Sequence, residues 1–139
     1  MRFIQNNHLE TTTTIRKALL TINITLAILW IYQGIIPKLL YRALDEQRLW
    51  QLNGIDEITM LILIQIAGYI EIIFGVFFLI FRQSKLIHYL NIFGMFGLAM
   101  MVFFTDSSYF SQAFNPFVMN VAMAVLSIVA LQFLSEKSP

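Results

Sequence analysis

Apolar positions gather into four long runs, Ala18 to Pro37, Ile58 to Phe81, Leu86 to Phe104 and Phe114 to Leu134, with short polar segments between them. As helices rising 1.5 Å per residue, these runs would each measure about 28–36 Å, matching the roughly 30 Å hydrocarbon core of a bilayer. Glu71 is the only Asp, Glu, Lys or Arg inside any of them. A membrane barrel would instead need segments of about ten residues with alternating polarity, and nothing here alternates. The pattern predicts an all-α fold, an integral membrane four-helix bundle forming a single domain over residues 1–139. No internal repeat is visible.

The polar flanks refine that picture. Residues 1–17 carry a threonine run, Thr11 to Thr14, expected to be a frayed tail or the cap of the first helix. Positive charge leads from there into an apolar run, as in a signal peptide, but the run is too long and lacks a small-x-small cleavage motif, so it reads as an uncleaved anchor. Lys and Arg set the orientation. With both termini inside, the inner side holds Arg2, Arg16, Lys17, Arg82, Lys85 and Lys137, six charges, against Lys38, Arg42 and Arg48 outside, three. The bias favours cytoplasmic termini. In the long outer loop, Lys38 to Glu57, Leu40, Tyr41 and Leu44 share one helical face and Trp50 follows, which predicts a short helix lying at the interface. An aromatic anchor and a gating lid are its two readings.

Composition narrows the function classes. The chain is 58% hydrophobic and 12% charged, where a soluble domain runs at about 45–50% and 25%. A net charge of +1 lacks the concentrated basic surface that nucleic acid requires. Without cysteine there is no disulfide, thiolate nucleophile or cysteine-held cluster. Two histidines, His8 and His88, are poor support for a metal or haem site. No phosphate loop, nucleophile elbow or His-Glu-x-x-His motif occurs, so no catalytic residue is assigned.

Polar residues within the spans carry the remaining chemistry. Glu71 lies 13 positions past Ile58 in a run of 24. An acid near mid-bilayer costs about 2.5–3.5 kcal/mol on insertion scales, so it must be protonated, paired or facing a polar cavity. Gly68 and Gly75 fall on the same helical face and let a neighbouring helix approach, making Gly68, Glu71 and Gly75 an inward seam. Glu71 is read either as a proton-carrying or ligand-binding carboxyl or as a structural hydrogen bond. The first span ends Trp30-Ile31-Tyr32-Gln33-Gly34-Ile35-Ile36-Pro37-Lys38, where Gly34 and Pro37 predict a bend. Lys38 is expected to leave the membrane there and snorkel to the interface, or to serve as counter-charge for Glu71 or an anionic headgroup. Glu71 lies about 20 Å from the outer end of its own run, so reaching it requires a break in the helix. Asn115 and Pro116 form a helix start, while Asn120 is expected at the level of Trp30 and Gln33, seeking an interhelical partner. His88 and Asn91 open the third span on the inner side, His88 as an interfacial residue. Gly94 and Gly97 are a weak packing signal.

Together, Trp30-x-Tyr32-x-Gly34-x-x-Pro37-Lys38, Gly68-x-x-Glu71-x-x-x-Gly75 and Phe114-Asn115-Pro116-x-x-x-Asn120 resemble the DoxX-like family of small bacterial four-helix membrane proteins. The resemblance implies a multi-pass protein of the bacterial inner membrane, related to membrane subunits of thiosulfate–quinone or thiol redox systems. Since the chain has no redox group of its own, electron transfer would require a bound quinone or a partner oxidoreductase. The expected role is an accessory subunit embedded in the lipid bilayer, with a polar pocket for a quinone or lipid-like molecule. Trp30, Tyr32, Gln33, Lys38, Glu71, Asn115 and Asn120 are the candidate ligand-binding residues, and Gly34, Pro37, Gly68, Gly75 and Pro116 the structural seam. The alternatives are a purely structural subunit of a larger membrane complex and a small-solute or proton-coupled transporter.

The orientation is open to direct measurement. Reporter fusions at Lys85 and Pro139 should report cytoplasm and one near Trp50 the opposite side; a C-terminus on the far side would overturn it.

Overall fold

The computed structural model describes residues 2–112 and 115–136, with the side chains of residues 2–10 and 136 left aside. Phe114 and Lys137 therefore lie outside the described residues. Helix α1 runs Arg2–Gln33 and continues as a π-helical segment, Gly34–Leu40. A short α2, Leu44–Leu52, leads into α3, Glu57–Ile80. Helix α4, Lys85–Thr105, is followed by a 3-10 turn, Ser107–Ser111, and α5, Pro116–Glu136. Four of these helices are long and apolar enough to cross a membrane.

Three local differences from the sequence expectation have physical causes. First, α1 does not fray or cap at Thr11 to Thr14. It starts at Arg2, since no Gly or Pro interrupts residues 2–33. Second, the chain does not leave the first span at Pro37. Pro37 has no N–H and its ring crowds the preceding turn, and the helix accommodates it by widening; the Tyr41 N–H donates five residues back to the Ile36 carbonyl at 3.0 Å. Third, Leu40, Tyr41 and Leu44 do not share a helical face, because Arg42 takes a positive φ of 46° and α2 begins only at Leu44. α2 does not simply lie flat: it packs against α3 and, more lightly, α4.

The bundle is two close helix pairs, α1 with α3 and α4 with α5, joined mainly through α1 and α5. Its core includes Leu26, Trp30, Phe78, Met95, Met123 and Ala130. Outside, Ile28, Ile70, Phe93, Phe96, Phe104 and Val118 are exposed, an apolar belt that suits lipid rather than water. The α1 and α3 pair is the tightest contact. A Cβ added at Gly34 would lie 2.5 Å from the Gly68 carbonyl oxygen, and one at Gly75 2.9 Å from that of Ala27. Backbone meets backbone, so only glycine fits. Gly94 and Gly97, by contrast, have nothing within 4 Å of an added Cβ.

Gly34→Ala and Gly75→Leu should therefore lower the melting temperature in detergent by several degrees, since neither carbonyl can give way. Gly97→Ala should leave it unchanged or raise it slightly through helix propensity. Equal melting temperatures for all three would mean that the crossing is loose.

Candidate functional site

The widened turn decides where Lys38 goes. It keeps the chain against α3, so that the Lys38 Cβ lies 3.1 Å from the position of a Cβ on Gly68. One helical turn further along α3, Glu71 faces the same way. Lys38 Nζ lies 3.2 Å from Glu71 Oε1, and their side chains are 13% and 10% exposed. Lys38 is thus not a snorkelling residue but a largely buried cation, paired with a carboxylate that lies about 21 Å by helical rise from the start of α3 at Glu57. Its ammonium also bonds Glu46 Oε1 of α2, a carboxylate that sequence reasoning did not place here. One cation holds two acids, and Glu71 Oε2 is buried with no hydrogen-bond partner.

α2 lies over this cluster without burying any residue. Polar ties hold it: Lys38 to Glu46, the Tyr109 hydroxyl donating to the Asp45 carbonyl at 3.2 Å, Arg48 to Asp106 at 3.2 Å, and Asn53 Nδ2 donating to Thr105 Oγ1 at 3.2 Å. Hydrogen bonds from the Ser108 hydroxyl and N–H, and then the charge of Arg48, hold the Asp106 carboxyl below the usual carboxylate range, so acid loosens this tie only as pH falls through that lowered range.

The other sequence candidates do not converge on Glu71. Trp30 stacks edge-on to Phe74, with centroids 4.9 Å apart, and its Nε1–H donates to Asn91 Oδ1 at 2.7 Å. Gln33 Nε2 donates to the Met119 sulfur at 3.4 Å. Tyr32 is 58% exposed on the outside of the bundle. Asn115 caps α5, its Oδ1 accepting from the Val118 N–H, and Pro116 takes the first turn. Asn120 is buried, but in a separate crevice with Val102, Tyr109, Phe110 and Phe117. A single pocket built from Trp30, Tyr32, Gln33, Glu71 and Asn120 is not what the chain forms.

A second polar cluster replaces it in the core. His88, Asn91 and Ser127 are completely buried, so His88 is not interfacial. Asn91 Nδ2 donates to Ser127 Oγ at 2.8 Å and to the Met123 carbonyl at 3.0 Å, and His88 Nδ1 lies 3.2 Å from the same Oγ. With Trp30 this chain of bonds links α1, α4 and α5. The signal for it was spacing, since His88, Asn91, Met95 and Val102 follow one helical stripe, as do Asn120, Met123, Ser127, Ala130 and Leu134. Among the described residues, no group of three or more His, Cys, Asp or Glu could hold a metal ion.

Lys38→Met strands the buried carboxylate of Glu71 and the half-buried one of Glu46 and should cost a few kcal/mol of stability, about 3, read as a lowered melting temperature in detergent. Adding Glu46→Gln and Glu71→Gln should recover most of it; no recovery would show that Lys38 matters through packing alone.

No curated protein and no solved structure matches the chain. A family model does, over residues 27–128, a range that runs from the foot of the α1 and α3 crossing through Lys38, Glu71 and the buried cluster to Ser127. That match, on a bundle of four apolar helices with this seam, shows that the chain belongs to the DoxX-like family.

Proposed function

We propose that this multi-pass membrane protein is an accessory, ligand-binding subunit that takes a quinone-like or other lipid-like ring at the Lys38, Glu46 and Glu71 cluster, in a bacterial inner membrane with both termini cytoplasmic. The observation that carries the reading is Glu71 Oε2, a buried acceptor without a partner beside a buried ammonium. A ring hydroxyl, as on the quinol form of a quinone, both donates and accepts and so needs one acceptor and one donor held at fixed spacing, and these two groups are such a pair. The ring itself would supply redox chemistry. Lys38 would donate to its oxygen, Glu71 would accept its hydroxyl proton in a hydrogen bond, and Glu46 would draw α2 across the site. One cation against two carboxylates leaves a net negative charge unless one proton is shared among them, which suits a site that binds a proton together with its ligand.

Entry falls to α2, which is held by polar ties and buries no residue, so it can lift at small apolar cost. Glu71→Gln keeps the size of the carboxyl and removes its charge. The test is mass spectrometry of small molecules retained after purification in mild detergent, alongside the melting temperature. Wild type should retain a quinone or similar ring compound, and Glu71→Gln should retain at least fivefold less with a melting temperature within a few degrees of wild type. Unchanged retention in Glu71→Gln would overturn the site. A stoichiometric protein partner with no retained ring compound would favour the purely structural subunit instead.

A further inference from the structure

The opposite end of the bundle carries a different chemistry. A crevice of about 210 Å³ opens there, lined by Arg16, Leu19, Leu20, Asn23, Arg82 and Gln83. It exists because α3 stops at Ile80 while α1 extends past it toward Arg2, leaving the α3 to α4 turn beside an uncovered stretch of α1. Arg16, Leu20, Arg82 and Gln83 are exposed. The Arg82 side chain folds back, its Nε–H donating to the Leu79 carbonyl at 2.8 Å. Among the described residues neither Arg16 nor Arg82 has a carboxylate partner.

Asn23 is the unusual member. It lines the crevice and is fully buried. Its Nδ2 donates to the Leu19 carbonyl at 2.8 Å and to the Arg82 carbonyl at 3.3 Å. Both partners are acceptors, which settles which end of the amide is nitrogen. Oδ1 is left buried with no partner, and an unmet buried acceptor costs about 1–3 kcal/mol. The crevice therefore offers two guanidinium groups without a carboxylate partner among the described residues, an apolar wall from Leu19 and Leu20, and the buried Asn23 acceptor in its lining.

We infer that this crevice binds an anionic phospholipid whose headgroup carries a hydroxyl, the chemistry of a phosphoglycerol. Arg16 and Arg82 take the phosphate. The headgroup hydroxyl donates to Asn23 Oδ1, displacing the exposed Leu20 and Gln83 side chains to reach it, and an acyl chain follows the apolar outer surface of α1. An anion alone would be satisfied by the arginines. The unpaired acceptor is what selects a headgroup with a donor. This inference stands apart from the Lys38 cluster and does not depend on it.

Native mass spectrometry of the full chain in detergent, supplied in turn with phosphatidylglycerol, phosphatidylmethanol and phosphatidylcholine, separates charge from hydrogen bonding. Phosphatidylmethanol has the anionic phosphate without the hydroxyl, and phosphatidylcholine has neither net charge nor donor. Wild type should retain phosphatidylglycerol about fivefold more than phosphatidylmethanol, and both more than phosphatidylcholine. In the double variant Arg16→Gln/Arg82→Gln, on the exposed mouth where folding is not at stake, phosphatidylglycerol should fall to the phosphatidylcholine level. Asn23→Leu should erase the difference between the two anionic lipids while keeping their joint preference. Equal retention of phosphatidylglycerol and phosphatidylmethanol by wild type would overturn the inference, and so would an unchanged preference in the arginine double variant.

Discussion

At the crossing of α1 and α3, Gly34 lies against the backbone of Gly68, and Gly75 against that of Ala27, with the side chains of Ile31 and Ile72 closing around them. Much of what distinguishes the bundle follows from that approach. It brings the end of α1 near enough to α3 for a lysine to meet a glutamate at 3.2 Å, and it turns Trp30 toward Phe74 and Asn91. Lipid offers no hydrophobic drive for helices to associate, so close packing and internal hydrogen bonds must hold them. The glycines allow the first and the buried polar side chains provide the second.

The interior reverses the usual arrangement of a soluble bundle. Phenylalanine and isoleucine cover the outside, while Asn23, Glu71, His88, Asn91, Asn120 and Ser127 lie within. Each polar group turned inward escapes lipid, but only those with partners escape the cost of burial. Asn91 meets this fully through Trp30, Ser127 and Met123. Glu71 and Asn23 each keep one oxygen without a partner, and the two lie toward opposite ends of the bundle, one under α2 and one beside the α3 to α4 turn.

Hydropathy alone located the four spans, and their ends fall within about two residues of expectation for α3, α4 and α5, because a long apolar run has few other solutions in a bilayer. The start of the first span did not follow hydropathy. Propensity carries α1 back to Arg2 through polar sequence, where the apolar count says nothing. The site was legible in parts. Glu71 between two glycines could be read from spacing, since one helix face is a local property. That Lys38 reaches it could not, because the widened turn at Pro37 changes the angular position of everything after it. Nor could Glu46, which arrives from another helix. His88 reads as interfacial from its closeness to the end of a span, whereas its stripe with Asn91, Met95 and Val102 marks it as buried.

The Lys38 and Glu71 pair also bears on how the chain enters the bilayer. Each residue alone would penalise its own span by about 2.5–3.5 kcal/mol on insertion scales, and the two spans are consecutive in the chain, with only α2 and its short flanking loops between them. Neither span is best stabilised in lipid until the other arrives to neutralise it. The hairpin of these two consecutive spans is therefore the smallest piece of the chain in which both charges find a partner.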